Sequence, residues 1–421
     1  MIQRLAMLSV HTCPLAMLGG KETGGMNVYV RDLGRELSRR GIAIDVYTRS
    51  QNPAIARITS LADRARVIHV KAGPERPYSK TRVYNHLDEF VEGVLEQVRH
   101  DGIRYDLIYS HYWLSGLVAE ALRQRWGIPF VQMFHTLAEM KNRVARTPQE
   151  REPELRREKE AYIMRSADRL VAATVNEQQD MVEAYGADPR KIAVIPPGVD
   201  LNRFKPLDRA EARQFLGLPP DHRMILFVGR IQPLKGIDIL IRALAVAKQR
   251  EPKLLGDVCL CLIGGDPNPD SEVEQAELER IQKLEAELDL GDLVTRLGAK
   301  DQDTLVYYYS AAEMVVMPSL YESFGMVALE AMACGTPVIA SDVGGLSLNI
   351  EDGYNGYLVP GQNPQALAEK IILLLRYPIL REQLAEQART WVTRFSWPNI
   401  ADELLELFHQ LTGQPLPPNE R

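Results

Sequence analysis

The feature that most narrows the folds open to this chain is an alternation, met twice, of short apolar runs with segments of helical spacing. Leu5-Ala6-Met7-Leu8-Ser9-Val10 opens the first series, and residues 42–48, 107–110, 130–133 and 170–173 continue it. Amphipathic helices fall between them, the first at about residues 26–40, where Gly41 stops it. Strands alternating with helices predict a parallel, doubly wound sheet. Ile195-Pro196-Pro197-Gly198 then interrupts the pattern, and Pro206 and Pro219-Pro220 lie in a polar stretch after it. A second series follows at 224–228, 258–263, 294–297, 314–317, 338–340 and 357–359, and residues 397–410 read as an amphipathic helix. The expected fold class is α/β, with two Rossmann-like doubly wound domains facing across a cleft. Ligands of open α/β sheets bind at the carboxyl ends of the strands, so chemistry is sought on the loops that follow strands.

A length of 421 residues suits two domains. The net charge of -6 argues against a general nucleic-acid binder, whose footprint is usually basic. No apolar run reaches the roughly 18 residues of a membrane span. The first residues lead into a strand pattern without the apolar region and cleavage site of a signal peptide, so a cytoplasmic protein is expected. Cys13, Cys259, Cys261 and Cys334 are scattered among apolar neighbours and read as buried free thiols. The tail after Leu411 reads as disordered. Nothing in the sequence fixes the oligomeric state, and a homo-oligomer is compatible with it.

Three loops carry candidate chemistry. Gly24-Gly25-Met26-Asn27 follows the first strand and opens a helix, whose free N–H groups and partial positive charge suit a diphosphate. Gly229-Arg230-Ile231-Gln232-Pro233-Leu234-Lys235-Gly236 follows the first strand of the second series. Its two cations, Arg230 and Lys235, suit a departing diphosphate. The most specific signal is Glu322-Ser323-Phe324-Gly325-Met326-Val327-Ala328-Leu329-Glu330. With a helix beginning near Gly325, Glu330 is expected two turns in, and the two carboxylates on the order of 10 Å apart. That exceeds the roughly 5–9.5 Å of paired glycosidase acids and suits gripping two ends of one nucleotide-sugar. Phe324, Gly325, Met326 and Val327 between them would offer N–H groups to a phosphate.

Glu-x7-Glu preceded by Pro318-Ser319, and followed by Ala-Cys-Gly-Thr-Pro-Val-Ile-Ala and Val-Gly-Gly, resembles the retaining glycosyltransferases of family 4, with GT-B architecture. The likeness runs over nearly the whole chain. It implies a domain of residues 1–200 plus a crossover helix in 397–421, which binds acceptor. It implies a second domain, 201–396, which binds a UDP-sugar. Glu322 would contact sugar hydroxyls, Glu330 the ribose, Arg230 and Lys235 the diphosphate, and Gly25 its distal phosphate. No cofactor or metal is implied.

The segments His11 to Ala16, Gly-Gly-Met-Asn-Val-Tyr-Val, Ser110 to Gly116, and His135 to Ala138 with Lys141-Asn142 are similar to the inositol-phosphate glycosyltransferases of this family. That likeness places Lys80, Tyr112, Thr136 and Arg156 on an acceptor's phosphate, with Asn27 beside them and His135 near the sugar's primary hydroxyl. Two cations and two hydroxyls make a phosphate clamp. The contexts of Lys80 and Arg156 read as loops. Sucrose-phosphate synthases share the fold and a phosphorylated acceptor, but usually carry Gly-Gly-Gln where this chain has Met26.

Other signals weigh less. Asp301-Gln302-Asp303 matches a metal motif but precedes a helical run, so capping explains it. Gly264-Gly265-Asp266 fits a tight turn. An NAD-linked oxidoreductase would want Gly-x-Gly-x-x-Gly after the first strand, which is absent.

Overall fold

The structure is a computed structural model that describes residues 2–16, 23–219, 222–265 and 272–413. Pro220, Asp266 and most of the tail after Leu411 lie outside the described residues. The chain divides into two compact units. One takes the described residues before Val199 and those from Trp397 onward, and the other is Val199–Ser396.

The first unit holds eight strands: β1 (Arg4–Leu8), β2 (Ala43–Arg49), β3 (Ile58–Ala62), β4 (Ala65–Val70), β5 (Leu107–His111), β6 (Phe130–Met133), β7 (Arg169–Ala172) and β8 (Ile192–Val194). Their order in the sheet is β3-β4-β2-β1-β5-β6-β7-β8. Every pairing is parallel except β3 with β4. That pair departs from the all-parallel expectation for a steric reason. Only Asp63 and Arg64 join the two strands, and so short a link can close only an antiparallel pair. Helix Gly25–Arg39 and helix Trp397–Thr412 pack on one another in this unit. The Trp397 ring meets Tyr29 edge-on at 5.5 Å, and Phe408 meets Tyr109 at 5.4 Å. Arg40 donates to the Pro398 carbonyl at 2.7 Å. Gly198 lies so close to Trp397 that a Cβ there would come within 2.5 Å of the indole.

The second unit holds β9 (Arg223–Val228), β10 (Val258–Ile263), β11 (Val294–Gly298), β12 (Met314–Met317), β13 (Val338–Ser341) and β14 (Tyr357–Val359). They run in the order β11-β10-β9-β12-β13-β14, all parallel. Except at edge strand β11, their near-continuous apolar sequences follow from burial on both faces. Cys259 and Cys261 share one face of β10, with sulfurs 3.8 Å apart and no disulfide.

In each sheet the strand order reverses once, between β1 and β5 and between β9 and β12. A crevice opens at such a switch point because neighbouring connections leave in opposite directions. In the second unit the two loops there are spliced backbone to backbone. Leu320 donates its N–H to the Leu234 carbonyl at 2.8 Å. Gly236 has a φ of 64°, and a Cβ on it would stand 2.1 Å from the Pro318 carbonyl oxygen. From the other side Gly345 donates to the Glu322 carbonyl at 2.9 Å, and a Cβ on Gly344 would stand 2.0 Å from that oxygen.

Three local expectations need correction. Glu330 is the fifth residue of helix Met326–Ala333, little more than one turn in, because Gly325 is the cap rather than part of the helix. Lys80 opens helix Lys80–Tyr84, and Arg156 lies in the first turn of helix Glu154–Ser166; neither is on a loop. Pro153, in an extended conformation, is the cap residue immediately before that second helix.

Gly236→Ala is expected to cost about 2 kcal/mol or more, from a left-handed backbone and a forced separation of the two loops. The midpoint of denaturant unfolding measures this, and an unchanged midpoint would contradict the splice.

Candidate functional site

The second unit gathers its sequence-predicted residues at the β9/β12 switch point. Lys235 ends the single turn Pro233–Lys235 after β9, and Glu322 lies on the loop after β12. Lys235 Nζ donates to Glu322 Oε2, and both side chains are 17% exposed. Arg230 is half-buried at the tip of β9. Phe324 and Gly325 are buried, while Met326 and Val327 start the helix half-exposed, with N–H groups that the helix itself does not use.

Glu330 is buried. Its Oε2 accepts from the Tyr309 hydroxyl at 2.8 Å and its Oε1 from Gln302 at 3.1 Å. Gln302 in turn accepts from Arg203 at 2.9 Å. Of the discounted metal motif, Asp301 caps helix Gln302–Ala311 through the Thr304 N–H at 2.8 Å, and Asp303 pairs with Arg203 at 2.9 Å.

The first unit brings Lys80, Tyr112, Thr136 and Arg156 together from four separate stretches of chain. The Arg156 guanidinium sits 4.7 Å from the centre of the Tyr112 ring, and Lys80 Nζ sits 5.1 Å from it. Arg156 Nη2 donates to the Thr136 carbonyl at 2.7 Å and to its hydroxyl at 3.2 Å. Tyr112 takes a φ of 75° and His135 one of 63°, both strained for a side-chain-bearing residue. Buried Gln132 holds the first of these, donating to the carbonyls of Tyr112 at 3.2 Å and Met133 at 3.0 Å. The Tyr112 hydroxyl is buried and has no hydrogen-bond partner. A buried hydroxyl left without any partner would cost a fold about 1–3 kcal/mol.

Arg156 is almost fully buried. Its charge is answered by Glu160 Oε1 at 2.7 Å and by Glu152 Oε1 at 2.9 Å. Lys141 Nζ also donates to Glu152. Glu160 is anchored in its turn by the Tyr185 hydroxyl at 2.6 Å and the Ala138 N–H at 2.9 Å.

A histidine pair lies beside this cluster. His111 Nδ1 and His135 Nε2 are 3.1 Å apart. Burial pushes His135 down to about 3, and burial, reinforced by His135, holds His111 well below its ordinary value. Both are neutral near pH 7, so one N–H is shared between two rings. His111 Nε2 is buried without a partner. A bare lone pair there costs less than a bare N–H, which favours His111 Nδ1–H as donor and leaves the proton of His135 on Nδ1. His11 stacks on Tyr112 at 4.4 Å and is likewise kept neutral, by burial first and then by Lys80 and Arg156.

Asn27 behaves differently from the sequence expectation of acceptor contact. Its amide donates to the Thr12 hydroxyl and to the Cys13 carbonyl, each at 2.7 Å, and its oxygen accepts from the Gly24 N–H at 3.0 Å. Both amide protons are therefore spent on bracing the loop after β1. Gly25 opens the helix that Gly24 caps.

Sequence reasoning missed His111, Gln132, Glu152, Glu160, Gln302 and Tyr309. Two signals were available. Gln132 is the lone polar residue in an apolar four-residue strand, and Glu152 and Glu160 flank Arg156 at helical spacing of four on either side.

The family described as Glycosyl transferases group 1 matches residues 208–391, and Glycosyltransferase Family 4 matches residues 23–203. D-inositol 3-phosphate glycosyltransferase of Actinosynnema mirum is 41% identical over 410 residues, covering 97% of each chain. The structure of sucrose-phosphate synthase from Thermosynechococcus elongatus superposes with a TM-score of 0.88 at 36% identity, over 98% of this chain and 99% of that one. Anabaena HepE in complex with UDP and glucose shares the fold, with a TM-score of 0.75 at 22% identity over 97% of this chain and 100% of that one. Two Rossmann-like units, each with its clustered loops, and full-length relatives that transfer sugars lead to one conclusion: the chain is a glycosyltransferase and belongs to glycosyltransferase family 4.

Proposed function

We propose that this glycosyltransferase moves a glucose-type unit from a UDP-sugar to a phosphorylated small acceptor, in the cytoplasm and with retention of anomeric configuration. The best-fitting pair is inositol phosphate with UDP-N-acetylglucosamine. The observation that carries the reading is the convergence of Lys80, Tyr112, Thr136 and Arg156 around an unpartnered hydroxyl. Two cations and two hydroxyls in one cluster suit a phosphate monoester. Relatives named D-inositol 3-phosphate glycosyltransferase support the choice. A second reading, UDP-glucose with fructose 6-phosphate giving sucrose 6-phosphate, is favoured by the likeness to sucrose-phosphate synthase, while Met26 leans against it.

In this reading Lys235 exchanges Glu322 for oxygens of the diphosphate, which frees the Glu322 carboxylate to accept sugar hydroxyls. Arg230 and the N–H groups at the start of helix Met326–Ala333 share the phosphate charge. Glu330, held in place by Tyr309 and Gln302, accepts from the ribose. The acceptor hydroxyl attacks the anomeric carbon on the face from which the diphosphate departs, and a departing phosphate oxygen takes its proton. The C–O bond to the acceptor forms as that to the phosphate breaks, so no side-chain nucleophile is needed. Neutral His135 serves as a hydrogen-bond donor to the sugar's primary hydroxyl, since a ring pushed to about 3 is a poor base. No metal is required, because the cations and the helix start already meet the diphosphate charge.

Coupled release of UDP, with inositol phosphate and fructose 6-phosphate as competing acceptors, tests the reading. Turnover with neither would overturn it. Lys235→Ala and Glu322→Ala are each expected to lower kcat by about 10²–10³-fold while melting as folded proteins; normal turnover in both would remove the donor assignment. Excess EDTA is expected to leave the rate unchanged, and a loss restored by a divalent cation would refute metal independence. Tyr112→Phe is expected to hold or raise the melting temperature, since it deletes an orphaned hydroxyl, yet to raise KM for the phosphorylated acceptor about tenfold. A clear loss of stability would reveal a partner for that hydroxyl within the fold.

A further inference from the structure

Glu152 is an ionised group in the acceptor cluster that the phosphate reading leaves without a task. Its Oε1 lies against Lys141 Nζ and 2.9 Å from Arg156 Nη1. Burial would raise its carboxyl, but Arg156, Lys141 and Lys80 outweigh that and hold it at about 2, so it is charged at every working pH. Arg156 does not need it for charge balance, because Glu160 already binds Nε from an anchored position. The hydrogen bonding around Glu152 is also incomplete. Arg156 Nη1, the Tyr112 hydroxyl and His11 Nδ1 are all buried without a partner of good geometry. One carboxylate oxygen thus occupies the field of three cations without giving Arg156 Nη1 a well-aligned hydrogen bond.

We propose that Glu152 is a built-in competitor for the acceptor's phosphate, which raises the threshold for anion binding so that free phosphate and monoanions are turned away. The inference rests on the phosphorylated-acceptor reading and adds to it a residue that sets selectivity. With Glu152 present, the three cations face two carboxylates; without it they face one. A monoanion entering the cluster gains no charge advantage over the resident carboxylate. A phosphate dianion does gain one, and its extra oxygens can reach donors that Glu152 leaves open. Free phosphate still has to dislodge Glu152 unaided, whereas a sugar or polyol phosphate offsets that cost through its ring hydroxyls.

The test is calorimetric titration of the whole protein with inorganic phosphate at pH 8, in saturating UDP so that the diphosphate loops are filled. Glu152→Gln is expected to bind phosphate at least tenfold more tightly than the wild type. This is a gain that damage to a purely structural brace would not produce. Equal or weaker binding by E152Q would overturn the proposal and make Glu152 a brace for Lys141 and Arg156. If E152Q does not fold, Glu152→Asp, which keeps the charge but withdraws it by one methylene, is expected to tighten phosphate binding at least threefold, and no tightening would likewise overturn it. Wild-type turnover of inositol phosphate against inositol judges the acceptor reading separately. Preference for the unphosphorylated compound would sink that reading whatever the titration of E152Q gives.

Discussion

Close contact of bare backbone at the tips of parallel strands is the constraint on which the second unit of this enzyme depends. Gly236 against Pro318 and Gly344 against Glu322 leave no space for a Cβ. The first contact, with the bond from Leu320 to Leu234, fixes the loop after β9 to the loop after β12, and the second fixes the loop after β13 to it. Lys235 and Glu322 are 87 residues apart in sequence and meet because of it. The ion pair itself contributes little to stability, since both partners keep some exposure and a pair of this kind is worth on the order of 1 kcal/mol. Its significance lies in holding two polar groups in readiness while the glycines do the positioning.

The first unit solves the same problem with side chains. Tyr112 and His135 sit in strained conformations just past β5 and β6, and buried Gln132 holds Tyr112 through hydrogen bonds to the Tyr112 and Met133 carbonyls. The surrounding charges follow a consistent logic. Three histidines are kept neutral by burial, His11 also by Lys80 and Arg156, while the carboxylates close to Arg156 neutralise it at short range. Loss of one carboxylate partner of a buried arginine typically costs several kcal/mol, which is why a second, Glu160, is fastened so firmly.

Much of this was legible in the sequence, for identifiable reasons. Strand and helix periodicity located most of the sheet elements, because parallel strands buried on both faces read as plain apolar runs. The hairpin of β3 and β4 escaped notice although β4 is a buried, largely apolar strand, because its edge partner β3 is short and mostly exposed and a two-residue turn breaks the strand–helix alternation. At the site, Lys235, Glu322, Tyr112 and Arg156 could be named from motifs, whereas the groups that orient them could not. Gln302 and Tyr309 reach Glu330 from a different helix, and Glu160 reaches Arg156 from one turn further along. Contacts of that kind are set by packing. Asn27 adds a contact that no motif announced: its side chain braces the loop after β1.

The return of the chain at Trp397 carries a consequence for biosynthesis. The first unit is discontinuous, and the groove beside Tyr29 and Tyr109 is filled only when residues 397–412 arrive. On the ribosome, the stretch from Val199 to Ser396 is complete in itself and can finish folding while its predecessor still shows an open aromatic seam. The earliest part of the polypeptide to emerge is therefore the last to be sealed, and until then it is the part a chaperone would find.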